Sequence, residues 1–414
     1  MRFSLLNAAV LLCQLPVSAA VLEIDPLSAP VPPAVTAVPA VKDWTVMYFV
    51  NGKNNLESSA VMDVNQMELV GTTPRINIVA EVGRMNGQEG DDHSEGDWTG
   101  VRRYLITRDA NTSLINSPVL EDRGKADMGS WKELTDFVRW AKTRYPALRY
   151  ALVLWDHGNG WKPVDMANSV HFGEKGFSLD DETGNEISTP QMALALKAAG
   201  GVNFLMLDGC NMAMASVAYE VSDQAEVMTA SEETEAGVVV RYAQFLGMLD
   251  AKPSMGAEEF AVNTVRTYRD YFNTGGDNEG APATQSAVRL SKMAGLRERL
   301  DKWAAVAMRS DAKVLRQAKR GAKVFGEDPD YKDLYDFVRL VNEGTADPAL
   351  KTLGAEVLRF IKAELVAENW AQDAVSHGVS IYIPDRVYFP LYDGLAWARD
   401  GAWDDFARFM AGIK

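Results

Sequence analysis

Two stretches, YALVLWDHGNGW (150–161) and FLMLDGCNMA (204–213), share one design: a short continuous apolar run that breaks into polar residues and glycine. Continuous runs of this length suit strands covered on both faces, as in a parallel sheet. Similar runs stand at 44–50 (WTVMYFV), 76–82 (INIVAEV) and 227–230 (VMTA). Helical patterns alternate with them. Trp131, Leu134, Val138, Ala141 and Tyr145 fall on one helical face, and Pro146 ends that pattern. Thr189 is the expected N-cap of another helix, with Pro190 at its first position and Gly200-Gly201 as its stop. This alternation predicts an α/β fold with a mostly parallel sheet flanked by helices. After residue 250 the pattern becomes a mainly helical C-terminal extension. There Ser291 is placed to cap a helix aligning Met293, Leu296, Leu300, Trp303 and Ala307. One late strand is expected at 379–383 (VSIYI), stopped by Pro384, either in the main sheet or in a second lobe.

The chain of 414 residues carries a formal charge of −15, two cysteines and four histidines. So acidic a balance argues against general nucleic-acid binding, which needs a positive surface. Two cysteines exclude a disulfide-stapled fold and a thiolate-rich zinc or iron–sulfur site. Residues 1–19 read as a secretory signal peptide: Arg2, an apolar core at 5–15, and a small-residue cleavage site at Val17-Ser18-Ala19. That core is shorter than the ~20 residues of a membrane-spanning helix, so no stable membrane insertion is expected once it is removed. The reading places the protein in the periplasm or outside the cell. Cys13 leaves with this segment, and the bulky Leu12 before it argues against a lipoprotein anchor. Residues 20–42, with Pro26, Pro30, Pro32, Pro33 and Pro39, read as a Pro/Ala-rich linker or propeptide. The main lobe is then 43–250, followed by the extension over 251–414.

Functional groups in open parallel sheets gather at the carboxyl ends of strands. His157 and Cys210 stand there, after consecutive apolar runs, each with a glycine beside it. A thiol at its ordinary pKa near 8.5 is only partly ionised at neutral pH. An imidazole, and the amide-rich start of a helix after Cys210, would favour the thiolate. The thiolate can attack a carbonyl to form a thioester while the imidazole protonates the leaving amine and later activates water. The N–H groups of Gly158 and Cys210 are the candidate oxyanion donors. The rival reading is a non-catalytic binding protein that kept the fold, which the Val238–Val240 stretch discussed below supports and the presence of both His157 and Cys210 opposes; a metal-dependent hydrolase would need clustered histidines or an H-E-x-x-H helix, absent here. His93, His171 and His377 lack comparable context. His93 lies in a Gly-rich loop after Asp91-Asp92, where exposure is expected rather than metal binding.

These two blocks, with TASEETEAG (229–237) and the opening WTVMYFVNGKNNLE (44–57), resemble the clostripain family of clan CD cysteine endopeptidases, the class of caspases, legumain and gingipains. Weaker matches at 137–152, 333–341 and 377–384 extend the likeness over most of 43–384. The resemblance implies a caspase-like fold with 43–250 as its catalytic lobe, and protein or peptide substrates. It implies His157 as base and acid, Cys210 as nucleophile, and Gly158 with Cys210 as the oxyanion hole. No cofactor is required for that chemistry; calcium dependence is implied by the resemblance alone, since Asp180-Asp181-Glu182 does not have a calcium-loop spacing.

By the same resemblance Asp208 helps form a pocket for Arg or Lys at P1, the residue before the cleaved bond; strand alternation puts it on the side of Cys210. Asp156 should point away from His157 and cap the turn. The stretch 162–186 is read as a solvated loop, with Lys175 as the first site to test for self-cleavage. One departure stands out. Relatives carry Pro-Gly and then a Gly-Trp-Asp/Asn-Tyr-type wall, where this chain has Ala236-Gly237-Val238-Val239-Val240-Arg241-Tyr242. Arg241 could compete for Asp208, which leaves the P1 preference open.

Overall fold

The computed structural model describes residues 41–162, 176–235, 242–276, 282–326 and 328–413. The signal segment with Cys13, nearly all of the linker, His171, Lys175, 238–240 and Arg241 lie outside the described residues.

The strands in chain order are β1 (Lys42–Gly52), β2 (Ile76–Arg84), β3 (Gly100–Leu105), β4 (Val119–Gly124), β5 (Ala147–Trp155), β6 (Phe177–Asp180), β7 (Asn185–Ile187), β8 (Phe204–Asp208), β9 (Val227–Ala230), β10 (Thr284–Arg289), β11 (Val324–Phe325), β12 (Asp328–Asp333), β13 (Val366–Ala371) and β14 (Ser380–Tyr382). One sheet runs β13-β10-β9-β8-β5-β1-β2-β3-β4. Its middle, β2-β1-β5-β8-β9, is parallel, and antiparallel strands close both sides. The five parallel strands are the five apolar runs of the sequence.

Alternate residues of these strands enter two cores. Met47, Phe49, Leu152, Leu154, Leu205 and Leu207 face one layer; Val46, Tyr48, Ala151, Val153, Phe204 and Met206 face the other. The flanking helices are α1 (Glu57–Glu68), α2 (Trp131–Arg144), α3 (Thr189–Ala198), α4 (Ala215–Glu220), α5 (Tyr242–Ala251) and α6 (Ala257–Asn273), then α7 (Met293–Ala307), α8 (Ala312–Gly321), α9 (Leu334–Gly344) and α10 (Pro348–Phe360). Helices α1, α5 and α6 cover the Tyr48 face, whereas α2, α3, α4, α7 and α9 cover the Phe49 face. The chain leaves β1 for β2 on one side and later returns as β5 on the other. The strand order therefore reverses beside β1, which makes the carboxyl ends of β1 and β5 the place where a sheet of this kind gathers its functional groups.

The extension after residue 250 is helical as expected, but it holds more than one strand. β10 (TQSAVR) and β13 (VAENWA) extend the central sheet across the anticipated boundary. Both are too polar to form an apolar run. The late strand, β14, pairs with β12 in a separate three-stranded sheet. At the other edge β3 escapes a pattern reading because Arg103 is buried in it, 2.5 Å from Glu81 and 2.8 Å from Asp136. Capping differs by a residue at α3. Ser188 is the N-cap, its hydroxyl accepting from Gln191 N–H while the Gln191 side chain accepts from Ser188 N–H. Ser291 does not cap α7; it lies in the 3₁₀ turn Leu290–Lys292, although all five residues of the expected helical face are buried. Part of the anticipated solvated loop is a hairpin, β6–β7. Asp180 is fully buried in it because Lys53 Nζ sits 2.8 Å away, so the chain folds down onto the end of β1.

Candidate active site

Strands β5 and β8 run in parallel register, with Trp155 opposite Asp208. His157 and Cys210 each follow that matched pair by two residues. Glycine makes the approach feasible. A Cβ on Gly209 would lie 2.5 Å from the Asp156 carbonyl oxygen, and one on Gly158 would lie 2.8 Å from that of Cys210. Both distances are shorter than van der Waals contact, so any side chain would force the strand ends apart. Asn211 then takes φ +61°, a left-handed conformation that Asn tolerates better than most residues. Its N–H donates to Glu233 O at 3.1 Å and its Nδ2 to Glu232 O at 2.8 Å. The chain thereby turns sharply after Cys210 and presents the sulfur. The expected helix start does not reach the thiol, since α4 begins only at Ala215.

The thiol's hydrogen-bond contacts are with Glu235. The Glu235 N–H donates to Sγ at 3.3 Å, and the Glu235 carbonyl lies 3.8 Å from Sγ. Burial pushes the Cys210 thiol up to about 11; the Glu235 N–H opposes this, while the carboxyls of Glu235 and Glu233 add to it. At neutral pH the free protein therefore holds a thiol, not a thiolate.

The His157 side rests on Asp156. This carboxyl is buried and points away from the imidazole, as expected. Its Oδ1 accepts from the His157 N–H and from Asn54 Nδ2, both at 2.6 Å; its Oδ2 accepts from Asn51 Nδ2 at 2.8 Å. Burial drives the Asp156 carboxyl well above its usual range, against these donors. The His157 ring lies 2.6 Å, through Nε2, from Asn55 Oδ1. A carboxamide oxygen only accepts, so this contact places a proton on Nε2 and leaves Nδ1 free. Burial lowers the pKa of His157, which favours the neutral ring. Imidazole and thiol do not hydrogen-bond each other directly; the fold brings their strand ends together and occupies each with a different partner.

Asp208 is 8% exposed and accepts a hydrogen bond from the Tyr242 hydroxyl. It is not an open pocket floor but part of a buried acidic group. Asp63 is bound by Trp155 Nε1 at 2.9 Å. Glu235 receives Gln285 Nε2 at 3.3 Å and the Tyr268 hydroxyl at 3.4 Å. Burial raises all three carboxyls, that of Asp208 to about 7, and Asp208 further raises Asp63 and Glu235. Among the described residues no lysine or arginine is paired with any of the three.

Asn55 and Glu235 lie within the motif blocks, yet nothing in their spacing marks them as the partners of His157 and Cys210. The other histidines stand apart. His93 is exposed near Asp91 and Asp97. His377 stacks on Tyr335 and bonds to Asp333 at 3.1 Å.

The sequence profile of the clostripain family matches residues 48–406. Clostripain from Hathewaya histolytica is 26% identical over 186 residues, 42% of this chain and 35% of that one, so the chain spans about a third of that curated relative. Among solved structures, a secreted C11 cysteine protease from Bacteroides thetaiotaomicron, in complex with an irreversible peptide inhibitor, aligns with a TM-score of 0.66 at 18% identity, covering 87% of this chain and 99% of that one. An inactive zymogen C11 protease from Parabacteroides distasonis aligns with a TM-score of 0.64 at 17% identity, covering 88% and 99%. These likenesses bear out the expected caspase-like sheet flanked by helices. With the profile spanning most of its length, the chain belongs to the clostripain family.

Proposed function

We propose that this protein is an exported cysteine endopeptidase that cleaves peptide bonds through Cys210 and His157. The observation that carries the reading is the junction of β5 and β8, where two glycines let an imidazole-bearing and a thiol-bearing strand end meet. In the proposed reaction Cys210 Sγ attacks the peptide carbonyl carbon and its proton passes to His157 Nδ1, the nitrogen not engaged by Asn55. The N–H groups of Gly158 and Cys210 receive the developing oxyanion. As the intermediate collapses, the imidazole protonates the departing amine and a thioester remains. His157 then takes a proton from water, which cleaves the thioester.

A P1 Arg or Lys would direct its charge toward Asp208, and cleavage after Lys175 would be self-processing of the same kind. The signal-like first residues support export, and among the described residues no helix is long and apolar enough to cross a membrane. Asp91, His93 and Asp97 offer ligand atoms within 4.8 Å of one another. One imidazole and two carboxylates, of Asp91 and Asp97, do not fit calcium, which takes six to eight oxygens, and no step is routed through a metal.

The test is cleavage of a peptide library by the mature protein and by Cys210→Ala. Wild-type cleavage that disappears in the variant is expected. Undiminished cleavage by Cys210→Ala would refute the assignment, and a preference for uncharged P1 residues would remove Asp208 from it.

A further inference from the structure

We propose that the cleft at the carboxyl end of α8 binds a phosphate group, carried by a soluble molecule or by a lipid. The inference is independent of the peptidase reading, and none of the residues lining the cleft is among those placed at the active site.

The cleft has a volume of about 510 Å³. Arg316, Lys319 and Arg320 of α8 line it together with Arg386, against a single carboxylate, Asp385. Four cations are thus gathered in a chain whose formal charge is −15. Arg316 and Arg320 stand one turn apart on α8, so their guanidinium groups serve the same side of the helix. Among the described residues neither has an ion pair or a side-chain hydrogen bond. Asp385 is engaged by its own neighbour, with Arg386 Nε 3.4 Å from Oδ2.

Lys319 is 5% exposed, and its Nζ donates to the carbonyl oxygens of Pro384 at 3.3 Å, Asp385 at 2.9 Å and Met410 at 3.0 Å. These bonds fasten α8 to the 384–386 turn and to the helix Trp403–Gly412, so the walls of the cleft are set before any ligand arrives. They satisfy the donors of the ammonium but bring no negative charge. Behind the cleft, Asp330 accepts the Asp385 N–H at 2.6 Å, and its own charge is met by Lys162 Nζ at 2.8 Å. The carboxyl ends of α8 and of the helix Trp403–Gly412 each offset about half a charge, which leaves about two positive charges unmet. That is the complement of a phosphate monoester dianion. Guanidinium forks grip phosphate oxygens in pairs. The volume exceeds what phosphate alone would fill and falls within the ~300–1,000 Å³ of small-molecule sites. Ala411 and Ile413 give the remainder of the molecule an apolar wall. Val387, next to Arg386, is 76% exposed and would give a lipid its first apolar contact.

The experiment titrates inorganic pyrophosphate into the mature protein by calorimetry at constant ionic strength. A second arm measures cosedimentation with phosphatidylglycerol vesicles against phosphatidylcholine vesicles. The wild type is expected to bind one pyrophosphate, and R316Q and R320Q should each weaken binding at least ~tenfold, the scale of a hydrogen bond to a charged group. Neither arginine is tied into the fold, so both variants should keep the wild-type melting temperature and the wild-type rate of peptide hydrolysis. Binding of pyrophosphate alone names a soluble ligand. Binding confined to phosphatidylglycerol vesicles and weakened in the same variants names a lipid headgroup. No binding in either arm overturns the proposal, and so does binding that both variants keep at full strength, which places the anion elsewhere.

Discussion

Replacing Asn55 with alanine isolates the orientation of the imidazole from every other feature of the site. Asn55 is exposed at the end of the β1 turn, and its side chain meets His157 Nε2 at 2.6 Å. Water can take its place, so the loss is the net value of one hydrogen bond, about 0.5–1.5 kcal/mol. If that energy is spent holding the ring with Nδ1 toward the thiol, kcat should fall by about 2- to 12-fold. KM should stay within about twofold, because nothing that touches substrate is removed. Stability should fall by no more than that same ~0.5–1.5 kcal/mol, since this one hydrogen bond is all that is lost. The assay is steady-state hydrolysis of a good peptide, with a melting curve on the same preparation. Asn55→Gln, which keeps the carboxamide on a longer stem, should recover part of the loss. A wild-type kcat in Asn55→Ala, or a large rise in KM at constant kcat, would refute the orientation argument.

Gly209→Ala should abolish hydrolysis and lower the melting temperature, because the new methyl would meet the Asp156 carbonyl at 2.5 Å and the Phe177 ring at 2.7 Å; a soluble, fully active variant would contradict the close approach of β5 and β8. Lys53→Met should destabilise the fold by about 3–5 kcal/mol in chemical denaturation, since it leaves Asp180 buried without its cation. The pH dependence of Cys210 alkylation in the free protein follows from burial, which raises the thiol to about 11. A raised thiol pKa means less thiolate at neutral pH, so the rate should keep climbing about tenfold per unit well past pH 9. A plateau near pH 8 would show that the thiol is not held protonated.

The parallel core was legible because strands covered on both faces must be apolar throughout, as in WTVMYFV and INIVAEV. The outer strands were not, because their polarity is met by specific partners. Arg103 in β3 reads as surface until Glu81 and Asp136 are seen around it. β13, at the edge of the sheet, is half-buried throughout, and β10 is buried but its Thr284, Gln285 and Ser286 side chains are hydrogen-bonded to Ser231, Glu235 and the Gly378 carbonyl. At the site, His157 and Cys210 were marked by residue type, glycine and strand end together. Asn55 and Glu235 act through atoms that meet only when β1, β5 and the 231–235 segment are folded side by side, and no local spacing encodes that meeting. The burial of Asp208 was equally hidden, because Tyr242 reaches it from a helix 34 residues further on.

The hydroxyl of Thr284, at the start of β10, accepts the N–H groups of both Glu232 and Glu233 at 3.0 and 3.1 Å and meets Ser231 Oγ at 2.9 Å. It thus fastens the segment that touches the sulfur from a strand made much later in synthesis. A nascent chain emerging from its amino end holds every candidate active-site residue well before it holds this fastening. The order of emergence therefore works as a delay: the cutting edge is spelled out early but is set in place only when a later part of the chain arrives.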